Sequence, residues 1–488
     1  MPSTPQSSER ALLGDKKGKR PLTSEENRTQ RFSSVARLVA LLLLTLLPAG
    51  CITPPFAPRI PRDKKPEKVD TGPFWWGVAS SPFQNEDRAE KPGTPNYFET
   101  DWDLFAKAGR VPPRGEEGAF SWTHFEKDLE ALKKIGVNHY RFGIEWARVE
   151  PQPGRYNEVA IRRYVEMARK LRAAGIEPVV TLWHFTMPSW LVTPKKAGQS
   201  RWLHPLFRER WTAYVDKMSK ALAPHVRVFA PQNEPNGDIA LGYLSSVWPP
   251  GLFLDFGKYN AAMNQSVWAF REAAGIIKQN RKDSLILAIQ ALPYWVRTFW
   301  DPTQAYYNYM QRINLTHLDR TYDVCDLIGF NYYYTEYADF TALIALKLRK
   351  GNKYSLLGWV IQPRSLYKQI RFVANRYKKP IVITENGIAT TKDIRRIRYL
   401  FNHVLEVKEA IKDGADVRGY FAWTLVDNYE WHHGYKAPFG MSKMDKKTKS
   451  RLLRPSSLFY KGLITTATDS DMLDELSAPD LPPGFIEH

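Results

Sequence analysis

Between Phe74 and about Gly462 one unit recurs eight times: a short run rich in β-branched and aromatic residues, a loop, and an apolar pattern at helical spacing. The runs are "FWWGVA", "GVNHYRFG", "EPVVTLWH", "VRVFAPQNEP", "LILAIQA", "DLIGFNYY", "PIVITEN" and "VRGYFAWT". Strands that alternate with helices pair in parallel, and eight such units close into a single (β/α)8 TIM barrel of the α/β class. Length does not decide this, because 488 residues with 43% hydrophobic content can bury several domain cores or one large one. Barrels of this kind carry their chemistry at the C-terminal ends of the strands. Those ends hold Gln84, Arg141, His184, Asn233 with Glu234, Asn331 with Tyr333, Glu385, and Trp423 followed by Glu430 and Trp431. Nearly every strand therefore finishes in a hydrogen-bonding side chain.

The seventh run poses the sharpest chemical question. "IVITENGIA", Ile381 to Ala389, is β-branched up to Thr384 and Glu385 and then turns through Asn386 and Gly387. Asn-Gly is a hairpin signal, but the following "DIRRIRYLFNHVLEVKEAIKDG" sets Ile397, Leu400, Val404, Val407 and Ile411 at helical spacing, so the turn joins strand to helix. A carboxylate at the lip of a buried strand loses hydration, which costs several kcal/mol unless partners or a task compensate. The other signals each have a structural alternative. "PQNEP" also suits an Asn helix cap before a Pro-initiated turn, Arg141 suits neutralisation of a buried acid, and His184 suits a core position. His432 and His433 are adjacent, a poor spacing for one metal, and neither an HExxH nor a Cys/His cluster occurs, so no metal is expected. No glycine-rich loop precedes a helix, and no cofactor is expected either.

The formal charge of +19 raises nucleic acid and anionic lipid as partners. Residues 1–70 hold thirteen Lys and Arg against seven Asp and Glu, and the remaining basic residues are scattered through segments such as "RRYVEMARKLRAAG". That pattern is a solvated basic surface; nucleic acid is not expected, and membrane-surface contact is the second reading. Residues 1–37 are polar and aperiodic, and the apolar stretch Leu38 to Ala49 is shorter than the roughly 20 residues of a bilayer span. Basic residues, a short apolar stretch and then small residues make an export signal. "LPAGC" is similar to the lipobox of bacterial lipoproteins, with Cys51 as the acylated residue, although Leu47 sits one place early and Pro48 takes the usual Leu position. The expected organisation is a polar segment (1–37), a signal segment (38–51), a Pro-rich tether (52–73), the barrel (74–466) and an acidic tail (467–488), in an exported, membrane-anchored protein of the cell envelope. With only Cys51 and Cys325 present, lipidation of the first leaves no intrachain disulfide.

"TENG" at 384–387, "NEP" at 233–235, "YRFGIEWARVEP", "TLWHFTMPSW", "GFNYYYTEY" and "YFAWTLVDNYEWHHGY" carry a family resemblance. From Phe74 to about Tyr460 the chain resembles family 1 glycoside hydrolases, the β-glucosidase family. Its local departures are "QNED" where that family usually has Gln-Ile-Glu-Gly, Phe185 where Trp is common, and Pro438 where "YxxRFG" has Arg. The resemblance implies a retaining, exo-acting enzyme on small β-glycosides. It implies Glu385 as nucleophile, partnered by Arg141 and Tyr333, and Glu234 as acid/base. Gln84, His184, Asn233, Asn331, Glu430 and Trp431 would hold the sugar, with Trp423 stacked on its ring.

Acetal cleavage needs a proton for the leaving oxygen and negative charge beneath an oxocarbenium-like centre, which two carboxylates in opposite protonation states supply. The retaining outcome implies a separation of ~5.5 Å, at which two charges repel by roughly 3 kcal/mol in an effective dielectric of about 20. One of the two must then keep its proton near neutral pH. The rivals are an endoglycanase, disfavoured by "DNYEW", a 6-phospho-sugar enzyme, disfavoured by Glu430, an inactive lectin-like module, and a transglycosylase. The last uses the same groups and no motif separates it. The mouth loop "DFTALIALKLRKGNKYSLLGW" mixes Leu343, Ile344, Leu346 and Leu348 with Lys347, Arg349 and Lys350. It reads as a packed helix or as a lipid-facing segment that would favour amphiphilic glycosides. The residues do not set an oligomeric state.

Overall fold

The computed structural model of the protein describes residues 69–467 apart from 90–93, 95–96, 116–117, 194–198, 300, 302–303 and 339–350. The signal segment with Cys51, most of the Pro-rich stretch, the acidic tail and the apolar-basic run Leu343 to Lys350 lie outside the described residues.

Eight parallel strands form a closed barrel in chain order. They are β1 (Trp75–Ala79), β2 (His139–Gly143), β3 (Glu177–Thr181), β4 (Val228–Ala230), β5 (Leu285–Ala291), β6 (Leu327–Asn331), β7 (Ile381–Asn386) and β8 (Val417–Trp423). β8 closes on β1 with Trp75 opposite Gly419 and Ala79 opposite Trp423. The two faces of each strand separate by parity. Val78, Tyr140, Phe142, Val180, Phe229, Ile328, Ile383 and Tyr420 pack beneath the helices, whereas Trp75, Val179, Val228, Leu287, Leu327, Val382 and Phe421 fill the barrel. Strands covered on both faces are apolar on both, which is why the runs read as continuous rather than alternating.

β7 departs from this parity at the position that matters. Against β6, Ile383 lies opposite Phe330 and Glu385 opposite Asn331; against β8, Ile383 lies opposite Tyr420 and Asn386 opposite Ala422. On both sides β7 thus carries one residue more than its neighbour. Such a bulge turns the next side chain to the other face. Glu385, which strict alternation would send toward the helices, points into the barrel. Asn386 points outward, where its amide donates to Tyr332 O and Tyr399 Oη and accepts from Tyr420 Oη.

The helix after β7, Asp393–Lys412, buries Leu400, Val404 and Val407 as the spacing predicts. Its stripe is rotated from the expected one: Ile411 is 40% exposed, and Arg396, Tyr399 and His403 are buried instead. Polar tips explain the rotation, because Arg396 reaches the carbonyls of Thr390 and Pro438, and Tyr399 donates to Tyr333 O. At the opposite end of the barrel Val69 packs against the interior lining, and Asp70 O accepts from Arg227, the residue before β4. The described chain therefore begins at the barrel's N-terminal end, away from the mouth. Among the described residues no helix is long and apolar enough to cross a membrane.

Candidate active site

Glu234 follows β4 and stands at the N-terminus of the helix Pro235–Tyr243. A residue before proline is excluded from the helical region, and Glu234 instead takes a left-handed conformation with φ 44°. Such a conformation costs about 1–3 kcal/mol for a non-glycine residue and persists only where the surroundings fix it. They do: Asn233 N donates to Trp183 O at 2.9 Å, and Glu234 N donates to Ile289 O at 3.1 Å. The backbone is tied to the segment that follows β3 and to β5, and the side chain is aimed across the mouth.

Glu385 receives two donors. The Arg141 guanidinium pairs with Oε1, and the Tyr333 hydroxyl donates to Oε2 at 2.5 Å. Arg141 is fully buried and Glu385 nearly so, and removing one member of such a pair leaves an uncompensated charge worth about 3–5 kcal/mol. Glu234 has a different environment: the Asn331 amide donates to its Oε1 at 2.6 Å, and no cation pairs with it among the described residues. Burial raises both carboxyls. For Glu234 the nearby Glu385 charge adds to that rise, whereas for Glu385 the Arg141 charge and the Tyr333 hydroxyl oppose it. Of the pair, Glu385 is the one that ionises first.

The other expected residues surround these two. Asn233 Oδ1 accepts from Arg141 at 3.1 Å and from Asn331 at 3.2 Å, and its Nδ2 meets His184 Nε2 at 3.2 Å. Burial, together with the Arg141 charge, holds His184 well below the ordinary histidine range, so it is neutral. Its ring lies nearly parallel to Trp423, 6.0 Å away at 21°, and to Trp431, 6.1 Å away at 11°. Gln84 donates to Glu430 Oε2 at 3.1 Å and to Tyr429 O at 2.7 Å. Burial, with the Glu385 and Glu234 charges, pushes Glu430 up to about 8 against the Gln84 hydrogen bond. Asn331 directs its amide nitrogen at Glu234 and Asn233. Thr384 was not among the expected residues, yet its hydroxyl donates to Asn331 Oδ1 at 2.6 Å. Its place directly before Glu385 was the available signal, and the bulge hid its consequence. The His432 and His433 rings lie with centroids 3.9 Å apart, tilted at 41°, and Trp248 donates to His432 Nδ1. Among the described residues no three His, Cys, Asp or Glu side chains gather as a metal site requires.

A parallel barrel with two buried carboxyls at its mouth, one ion-paired and one not, has the makings of an acetal-cleaving site. The profile of Glycosyl hydrolase family 1 matches residues 69–296 and 303–468, and the chain belongs to that family of retaining glycosidases. It is 28% identical to β-glucosidase 47 of Arabidopsis thaliana, over 80% of this chain and 84% of that protein. It is also 28% identical to a β-galactosidase of Pyrococcus woesei, over 79% of this chain and 94% of that protein. Among solved structures, a β-glucosidase from Thermotoga maritima in complex with deoxynojirimycin matches with a TM-score of 0.71 and 25% identity, covering 80% of this chain and 97% of that one.

Proposed function

We propose that the protein is an exo-acting β-glycosidase that removes terminal, non-phosphorylated sugars through a covalent ester on Glu385, with Glu234 as acid and then base. The carrying observation is the asymmetry of the two carboxyls: Arg141 and Tyr333 both bond Glu385, while Glu234 has only a neutral amide. An ionised Glu385 attacks the anomeric carbon as Glu234 protonates the leaving oxygen, so the glycosidic bond breaks as the ester forms. Esterification removes the Glu385 charge, so Glu234, which has just given its proton to the leaving oxygen, stays ionised and takes a proton from water as that water cleaves the ester. The same ester passes to an alcohol in the transglycosylation reading, and product analysis in one assay measures the partition.

Gln84, His184, Glu430 and Trp431 lie around the pair and would hold the terminal sugar. Glu430 has Glu385, Glu234 and the Gln84 amide as its electrostatic surroundings, a setting that disfavours a phosphorylated sugar. The test is Glu385→Gly assayed on aryl β-glycosides. Alone it should be inactive by several orders of magnitude, and azide should restore turnover with a product of inverted configuration. A Glu385→Gln enzyme retaining more than about a tenth of wild-type activity would overturn the assignment.

A further inference from the structure

Hydrogen-bond polarity can be followed through the site from one residue that has no choice. Arginine only donates, so Asn233 must present Oδ1 to Arg141, 3.1 Å away. Asn233 Nδ2 then faces His184 Nε2 at 3.2 Å, which must accept, so neutral His184 carries its proton on Nδ1. Asn331 must likewise turn its nitrogen to Asn233 Oδ1, and that same nitrogen reaches Glu234 Oε1 at 2.6 Å. Its carbonyl oxygen is left facing β7, where the fully buried Thr384 donates to it at 2.6 Å. The Asn331 carboxamide is thus held at both ends.

We propose that Thr384 is a positioning residue for the acid/base, its hydroxyl locking the Asn331 carboxamide with the N–H directed at Glu234. This rests on Glu234 having that role. An N–H bond to a carboxylate favours its ionised form. The lock therefore supports Glu234 in the second half of the reaction, when it must be ionised to accept a proton from water. The bulge in β7 sets up the arrangement, because it lets consecutive residues both serve the interior: Thr384 under Asn331, and Glu385 under the sugar. The other charged and titratable groups facing Glu234 are Glu385 on β7, Arg141 on β2, Tyr333 and Tyr334 after β6, and Glu430 after β8. Asn331 also lowers Glu385, so removal of the Thr384 hydroxyl is read on the acid limb of the profile as well as on the alkaline one.

Thr384→Val keeps the side-chain shape and deletes the donor, leaving a buried carbonyl oxygen unpaired and the carboxamide free to turn. Glu234 should then hold its proton more tightly. The alkaline limb of kcat/KM on alkyl β-glycosides, whose leaving group needs the proton, should move up by about one to two pH units, the size of a single lost hydrogen bond to a charged group. For activated phenols, whose slow step is release of the sugar ester, kcat should fall about tenfold at neutral pH. Thr384→Ser should keep the wild-type limb, and Thr384→Ala reads the same limb should the Val variant misfold. A merely structural role would lower activity without moving the limb. A bell-shaped wild-type profile whose alkaline limb stays in place in both Thr384→Val and Thr384→Ala overturns the role of Thr384 alone; a wild-type enzyme with no such profile overturns the acid/base reading and this inference together.

Discussion

Glu234 combines a left-handed backbone, a buried carboxyl and a single neutral donor, and each of these has a separate consequence for its chemistry. The backbone aims it, burial keeps its proton on, and with Arg141 acting on it only at a distance and paired to Glu385, it is sensitive to the charge on Glu385. A group that only delivers a proton matters in proportion to how much the leaving group needs one. For Glu234→Ala the loss of kcat/KM should be small, within about tenfold, on activated nitrophenyl glycosides. On alkyl glycosides it should reach about a thousandfold or more. Equal losses across a series of leaving groups would remove Glu234 from the acid role. At this scale the sequence was informative wherever chemistry demands one residue type, as at Glu234, Glu385 and Arg141. It was silent on hydrogen-bond polarity, since nothing in "NYYY" says that the Asn331 amide nitrogen reaches Glu234.

At the scale of elements, the strand-helix alternation was legible because the two periods differ, 2 for strands and 3.6 for helices, and burial on both faces makes the strands nearly continuous in apolar residues. The strand ends were less so. "VRVFAPQNEP" yields a strand only from Val228 to Ala230, because the chain interrupts the ladder at Pro231 and Gln232 and meets β5 again in a single bridge, Asn233 opposite Ile289. The bulge in β7 is a property of pairing between strands, which no single segment encodes. One residue does betray the crowding there. A Cβ on Gly387 would sit 2.2 Å from the backbone oxygen of Trp423, so β7 and β8 can approach at their mouth ends only if this residue is glycine. Backbone cannot rotate out of the way as a side chain can. Gly387→Ala should cost about 1–3 kcal/mol, lower Tm by several degrees, and displace Glu385 or Trp423 enough to reduce kcat/KM at least about tenfold. Gly275→Ala, in the helix Phe256–Asn280 with nothing within 4 Å, is the control and should hold or gain stability. An active, equally stable Gly387→Ala enzyme would show that the barrel yields at this seam.

Over the whole molecule, stability depends on how many acids the fold keeps protonated. Glu145, fully buried after β2, is pushed up to about 8 by burial, with the Thr186 hydroxyl and the Ala147 N–H opposing. Glu430 is likewise pushed up to about 8 and Asp101 to about 6. A carboxyl whose folded value lies above the unfolded one, about 4.3 for Glu, keeps in the native state a proton that the unfolded chain has released. Stability therefore falls as pH rises through that window and levels off above the folded value. Asp101 is braced by Arg201, and Glu430 is bonded by Gln84 among the residues proposed to hold the sugar, so Glu145 is the group on which this can be tested without touching the reaction. Ala147 N donates to its Oε1 at 3.2 Å, and the Thr186 hydroxyl lies 3.2 Å from Oε1 and 2.9 Å from Oε2, so an amide with its oxygen at Oε1 keeps the Ala147 bond, while its nitrogen can donate to the Thr186 oxygen. Glu145→Gln cannot ionise. Its Tm should match wild type near pH 4, exceed it increasingly up to about pH 8 and keep that lead above, corresponding to a gain of a few kcal/mol. Denaturation curves that run parallel for the two proteins across that range would mean that Glu145 is already ionised in the fold, and that its charge is balanced by a partner the buried site does not show.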